Sequence, residues 1–132
     1  MSDAESSDIT QHASSLPFDE TVERLVQAIA NGGMTIFARI DHAANARNVG
    51  MTMPPATVLV YGNPKGGTPI MLASPLAALD LPLRVLVWER EDGKAAIAFH
   101  PVVAMLRAAG APQDAAGRLE PAQRMLLAAL TR

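Results

Sequence analysis

Asp41 and His42 stand side by side in "DHAANARNVG", with Arg47 and Asn48 close behind. An imidazole beside a carboxylate is the pairing of a general base with the group that orients it, or of a metal ligand with its support. A second stretch, "VYGNPKGGTP" (Val60–Pro69), carries a different chemistry. A strand-like run ends in Gly62, and a loop holds Asn63, Lys65, Gly66 and Gly67. Thr68-Pro69 then has the signature of a helix start, a capping hydroxyl followed by proline at the first helical position. Backbone N–H groups at such a start attract anions, the glycines would let a ligand approach closely, and Lys65 would add a charge. The named phosphate loops do not fit. A Walker loop needs Gly-Lys-Ser/Thr after its spacer, whereas here Thr68 follows Gly67 directly and the lysine lies at 65. The stretch reads first as a well-made strand-to-helix turn and second as a cradle for an anionic ligand.

Other chemistries have less to stand on. His12, His42 and His100 are the only histidines, and no short ligand spacing joins them, so no metal site is assigned. Met51 and Met53 lie one residue apart in "GMTMPP", on the same side of an extended segment, which favours core filling over soft-metal binding. No serine occupies a Gly-x-Ser-x-Gly elbow. The chain has no cysteine, which removes disulfides, thiolate metal sites and a cysteine nucleophile. With 11 Lys+Arg against 13 Asp+Glu, there is no basic stripe to neutralise phosphates, and nucleic acid is not an expected partner.

The elements that must position these residues follow from periodicity and punctuation. "ITQHASS" reads as an edge strand. "PFDETVERLVQAIANGG" is the clearest helix, with Phe18, Val22, Leu25, Val26 and Ile29 on one face and Gly32-Gly33 as its left-handed stop. "MTIFARID" alternates as a strand, with Met34, Ile36, Ala38 and Ile40 on one side and Phe37 and Arg39 on the other. "HAANARNVG" fits a short helix, and "ATVLVY", apolar on both faces, a central strand. "GTPIMLASPLAALDLP" reads as two short helical turns. "LRVLVWE" and "KAAIAFH" flank "REDG" as a hairpin, and "PVVAMLRAAG" and "LEPAQRMLLAALTR" close the chain as helices. Strand pairs without a long helix between them argue for an α+β fold: a two-layer sandwich with a mixed sheet of about five strands and helices packed on one face.

The chain's 132 residues fit one domain with its own core. Residues 1–7 are expected to be disordered, 8–110 to form the sandwich, and 111–132 to be a loop and helix appended to it. The acidic, polar N-terminus is unlike a signal peptide, and no apolar run approaches the length of a membrane span. A cytoplasmic protein without membrane contact is the expectation. "MLASPLAALDLPL" and "MLLAAL" are more apolar than a small domain readily covers, which points to burial in a symmetric pair.

The blocks "FARIDHAA", "LVYGNPKGGTPIM" and "LDLPLRVLVWEREDGK" resemble the domain-of-unknown-function 302 family. The motif residues of that family correspond to Asp41, His42, Gly62, Asn63, Pro64, Lys65, Gly67, Thr68 and Pro69, with Trp88 in the following strand. The resemblance implies a compact α/β sandwich, found in bacteria and archaea and generally homodimeric. It brings no agreed reaction, so no catalytic role transfers with it, and the cofactor is unknown. Met51, Met53 and Phe99-His100-Pro101 depart from the pattern, and the helix from Leu119 lies outside the recognised blocks.

Three functions compete on these observations. The first is a non-catalytic homodimeric module that binds a small anionic or cofactor-like ligand near Asp41-His42 and the loop of Asn63, Lys65, Gly66, Gly67 and Thr68. The second is an enzyme in which His42 is acid/base, Asp41 orients it and Lys65 holds an anion, which requires one pocket joining them. The third is a structural or protein-interaction module with no small-molecule site. Glycines, prolines and aliphatics dominate the distinctive blocks, and such residues shape a cavity more readily than a proton relay, so the binding module is preferred.

Overall fold

The computed structural model describes residues 8–131; Met1–Ser7, the segment expected to be disordered, lies outside the described residues. Five strands form one sheet: β1 (Thr10–Pro17), β2 (Thr35–Asp41), β3 (Ala56–Gly62), β4 (Leu83–Glu89) and β5 (Lys94–Phe99). Their order is β1-β5-β4-β3-β2 and every neighbouring pair is antiparallel. The α+β class stands, but the expected mixed sheet is corrected to an antiparallel one. β1 and β2 do run in the same direction, yet they occupy opposite edges, so no parallel ladder forms. β3 is an interior strand next to the β2 edge, and β4 is the middle one.

The principal helices cover one face. α1 (Phe18–Asn31) connects the two edges, and Val22, Leu25 and Ile29 are buried against Leu59, Tyr61, Val85, Val87 and Ile97 of the sheet. Burying each such aliphatic side chain is worth roughly 1.5–3 kcal/mol before chain entropy is counted. Asp19 and Glu20 sit in the first turn, where the helix dipole favours them. At the other end the Gly32 N–H donates to the Ala28 carbonyl at 3.0 Å, and Gly33 takes φ +76°, the left-handed stop foreseen for it.

α2 (His42–Asn48) leads into an extended segment that ends at Pro54-Pro55 ahead of β3. Met51 and Met53 lie on this segment and are exposed, at 66% and 39%. The core reading of both is corrected: the segment joins β2 to β3 at the end of the sheet and is not itself a strand. α3 (Pro64–Ala73) and a 3-10 turn (Pro75–Leu79) precede β4. α4 (Val102–Ala108), a second 3-10 turn (Gln113–Ala115), α5 (Ala116–Leu127) and a final 3-10 turn (Ala128–Leu130) complete the helical layer.

The C-terminal segment belongs to the same core. Leu119, Leu126, Ala129 and Leu130 join the cluster around α1 and the sheet. Gln123 is buried and clamps the start of α4: its Oε1 accepts the Val102 N–H at 3.0 Å, and its Nε2 donates to the His100 carbonyl at 2.8 Å. At the far edge Ser14 Oγ accepts the Leu16 N–H at 3.1 Å and lies 2.8 Å from Thr21 Oγ1, and Ser15 Oγ donates to the Leu130 carbonyl at 3.2 Å. These contacts fasten the end of the chain to β1 and α1, so α5 is integral and not appended.

The other sheet face carries Val58, Leu86, Trp88 and Ala98, which with Ile9, Gln11, Arg84 and His100 line a shallow concavity. Val58, Leu86 and Ala98 form one row across three strands. Among the described residues, no helix is long and apolar enough to cross a membrane.

Candidate functional site: an apolar cavity at the β3–α3 junction

β3 delivers Gly62 to one end of the sheet, and the chain turns there directly into α3. Asn63 is the N-cap. Its Oδ1 accepts the Lys65 N–H at 2.9 Å, and its carbonyl accepts the Gly66 and Gly67 N–H groups at 2.9 and 3.0 Å. Pro64 occupies the first helical position and has no N–H. Each backbone donor of residues 64–67 is thus missing or engaged, and the helix start has none left for an anion. The expected start at Thr68-Pro69 is corrected accordingly. Asn63-Pro64 bears the same cap-then-proline signature one turn earlier, and asparagine is the better cap. Pro69 lies inside the helix. It deprives the Lys65 carbonyl of its donor, but both residues are exposed, where water substitutes.

Beside this turn is a cavity of about 400 Å³, a size that suits a small molecule. Several elements contribute walls: Gly66, Gly67 and Met71 from α3, Leu81 and Pro82 ahead of β4, Met34 after α1, and Leu119, Ala122 and Met125 from α5. Phe37 joins them because β2 has a bulge. The register with β3 slips between Ile36 and Ala38, so Ile36 pairs with Tyr61 while Ala38 pairs with Val60 and Ile40 with Val58. The strict alternation expected along this strand fails there. Ile36 and Ile40 face opposite layers, and Phe37, left out of the ladder, borders the cavity.

The walls are unusual in two respects. Met34, Met71 and Met125 come from three separate elements, and their unbranched thioethers adapt to irregular apolar shapes. Gly32, Gly62, Gly66 and Gly67 contribute no side chain at all. Gly66 and Gly67 lie within α3, and neither has positive φ. A Cβ on Gly66 would meet nothing within 4 Å; one on Gly67 would meet only Leu81 Cδ1 and Met71 Cε, both at 3.9 Å. Neither backbone conformation nor crowding requires glycine at these sites, yet each costs up to about 1 kcal/mol against alanine in a helix.

Of the residues singled out in the sequence, Asn63, Gly66, Gly67 and Thr68 line the cavity, and Lys65 is exposed and does not. Asp41 and His42 are elsewhere. In the β2–β3 ladder Thr35 pairs with Gly62 and Asp41 with Thr57, which puts Asp41 at the opposite end of the sheet, about 17 Å along the strand from Gly62. Asp41 caps α2, its Oδ1 accepting the Ala44 N–H at 2.9 Å. His42 opens that helix and is exposed. The structure therefore does not assemble His42, Asp41 and Lys65 into one acid/base site. The histidines are also dispersed: the His12 ring stacks on Phe99 with centroids 6.1 Å apart, and His100 Nδ1 lies 2.7 Å from the Asp8 carbonyl. Among the described residues, no three of His, Asp or Glu gather as a metal site would need.

Nothing in the sequence marked the three methionines, Phe37, Leu81 or Arg118 as residues of a site. The nearest to a local signal was the position of Met71, one helical turn beyond Gly67 on the same face.

Fold and cavity together define a two-layer, antiparallel α+β domain with an apolar hollow where strand passes into helix. The chain belongs to the family described as domain of unknown function DUF302, whose model matches residues 10–132 and so includes the last helix. A solved structure, an uncharacterized conserved DUF302 protein from Bacillus stearothermophilus, shares the fold with a TM-score of 0.79 at 17% identity, over 93% of this chain and 95% of that one. Two further similarities are to longer proteins. "Fluoride-specific ion channel FluC 1" of Brucella suis is 41% identical over 75 residues, 57% of this chain and 30% of that protein. "Fluoride-specific ion channel FluC 2" of Brucella melitensis is also 41% identical over 75 residues and is covered to 28%.

Proposed function

We propose that this chain is a non-catalytic module that binds a small, predominantly apolar ligand in the cavity at the β3–α3 junction and works as a homodimer. One observation carries the binding reading. Gly66 and Gly67 weaken the helix they belong to, have room for a side chain, and leave that room open toward an apolar hollow. Stability given up without structural need is the usual mark of a functional site. The ligand proposed here is predominantly apolar and not a small anion held by the helix start, because the donors there are engaged and Lys65 is off the wall.

Homodimerisation is supported by the open sheet face, where Val58, Leu86, Trp88 and Ala98 present an apolar centre with Arg84 beside it. A two-fold pairing would lay this patch on its own copy. The fluoride-channel relatives support a modular role, since a stretch similar to this chain makes up less than a third of their length. Fluoride itself is not the proposed ligand: a small, strongly hydrated anion needs more donors than this cavity supplies.

The test is a titration with N-phenyl-1-naphthylamine, a neutral apolar fluorophore. The expected result is saturable binding of one probe per chain, lost in Met71→Glu and kept in Leu86→Glu. Unchanged binding by a folded Met71→Glu variant would refute the site.

A further inference from the structure

The cavity wall carries one formal charge. Arg118, in the first turn of α5, is the only ionisable residue among those that line it, and no acid accompanies it. Arg118 both lines the cavity and is exposed to solvent. Among the described residues it makes no ion pair. The nearby carboxylate on the same helix, Glu120, is taken by Arg124. The remaining polar side chains on the wall, Asn63 and Thr68, are neutral, and Asn63 Oδ1 is occupied as the α3 cap.

An apolar hollow with a single unneutralised guanidinium has a defined complement. A neutral hydrocarbon would fill the interior and leave Arg118 unused; a cationic amphiphile would be repelled. We propose that the ligand is an amphiphilic carboxylate, an aliphatic or aryl acid whose apolar body lies among Met34, Met71, Leu81 and Met125 and whose carboxylate meets Arg118. Guanidinium and carboxylate match as planar, two-pronged partners. The methionines suit bodies of varied shape, so the class is set by the head group more than by one skeleton. This inference rests on the binding reading above but is tested separately from it.

Calorimetric titrations of the purified chain with octanoate, 1-octanol and octylamine at pH 7.5 decide the matter. Octanoate is expected to bind roughly two- to fivefold more tightly than 1-octanol, the scale of one exposed ion pair, and octylamine more weakly than either. Arg118→Gln should abolish the acid's advantage over the alcohol, read as the ratio of the two affinities in the same variant, and added salt should narrow the gap in the parent chain. Equal affinities for acid and alcohol, or a preference for the acid that survives Arg118→Gln, would overturn the carboxylate inference and leave the apolar site standing. Failure of all three to bind would overturn both.

Discussion

Tyr61 is the largest of the fully buried side chains, and its hydroxyl is buried without a hydrogen-bond partner among the described residues. A phenol left in this state costs about 1–3 kcal/mol. Burial also pushes its ionisation well above the ordinary 10.0, because the phenolate is the form that desolvation penalises. The sign for stability follows. Below pH 10 both folded and unfolded chains keep the proton; above it the unfolded chain releases its proton first, so stability falls as pH rises. Tyr61→Phe is therefore expected to be neutral or to stabilise by up to about 1 kcal/mol at pH 7 in urea denaturation. It should also lose part of the decline above pH 10. A loss of more than about 1 kcal/mol at pH 7 would mean that the hydroxyl has a partner in solution.

At the scale of elements, Gln123 decides whether the last helix is an accessory. Its amide satisfies the first N–H of α4 and the carbonyl that precedes it, across a separation of more than twenty residues. Gln123→Leu strands both groups and is expected to cost roughly 2–4 kcal/mol in one cooperative transition. Separate melting of the C-terminal segment, with the rest at parent stability, would restore the appended reading. The sequence displayed much of this layer. The Val22–Leu25–Ile29 stripe, the Gly33 stop and the hairpin around Gly93 depend on short-range spacing and backbone rules, which local sequence carries. The bulge at Phe37 depends on a slip against β3, and strict alternation hides it. The two cap-then-proline signatures at Asn63 and Thr68 differ locally only in the stronger capping of asparagine, and the start at Asn63 is the one that buries Gly67 and Ile70 within the helix. The cavity was half legible for the same reason. Its α3 wall is continuous in sequence, whereas Met34, Leu81, Arg118 and Met125 come together only through the fold.

At the scale of the whole molecule, one layer of helices leaves a sheet face with an apolar centre. Trp88 is the only tryptophan and lies on that face, so its emission reports directly on pairing. Sedimentation velocity is expected to give a dimer, and Leu86→Glu a folded monomer with red-shifted Trp88 emission. A parent chain that sediments as a monomer at high micromolar concentration would remove the pairing. The cavity is at one end of the helical layer, bounded by α3, α5 and the α1–β2 turn, and its residues are distinct from those of the open face apart from the shared sheet. Ligand binding and pairing can therefore be separated by mutation.

In the binding proposal, two helix glycines give up stability to keep a space open for ligand. Gly66→Ala/Gly67→Ala, followed by thermal denaturation and by titration with 1-octanol, tests it most directly. The double variant is expected to be more stable, by up to about 1–2 kcal/mol for the pair, and to bind the alcohol at least several-fold more weakly than the parent. A variant that is less stable, or that binds as the parent does, would contradict the proposal.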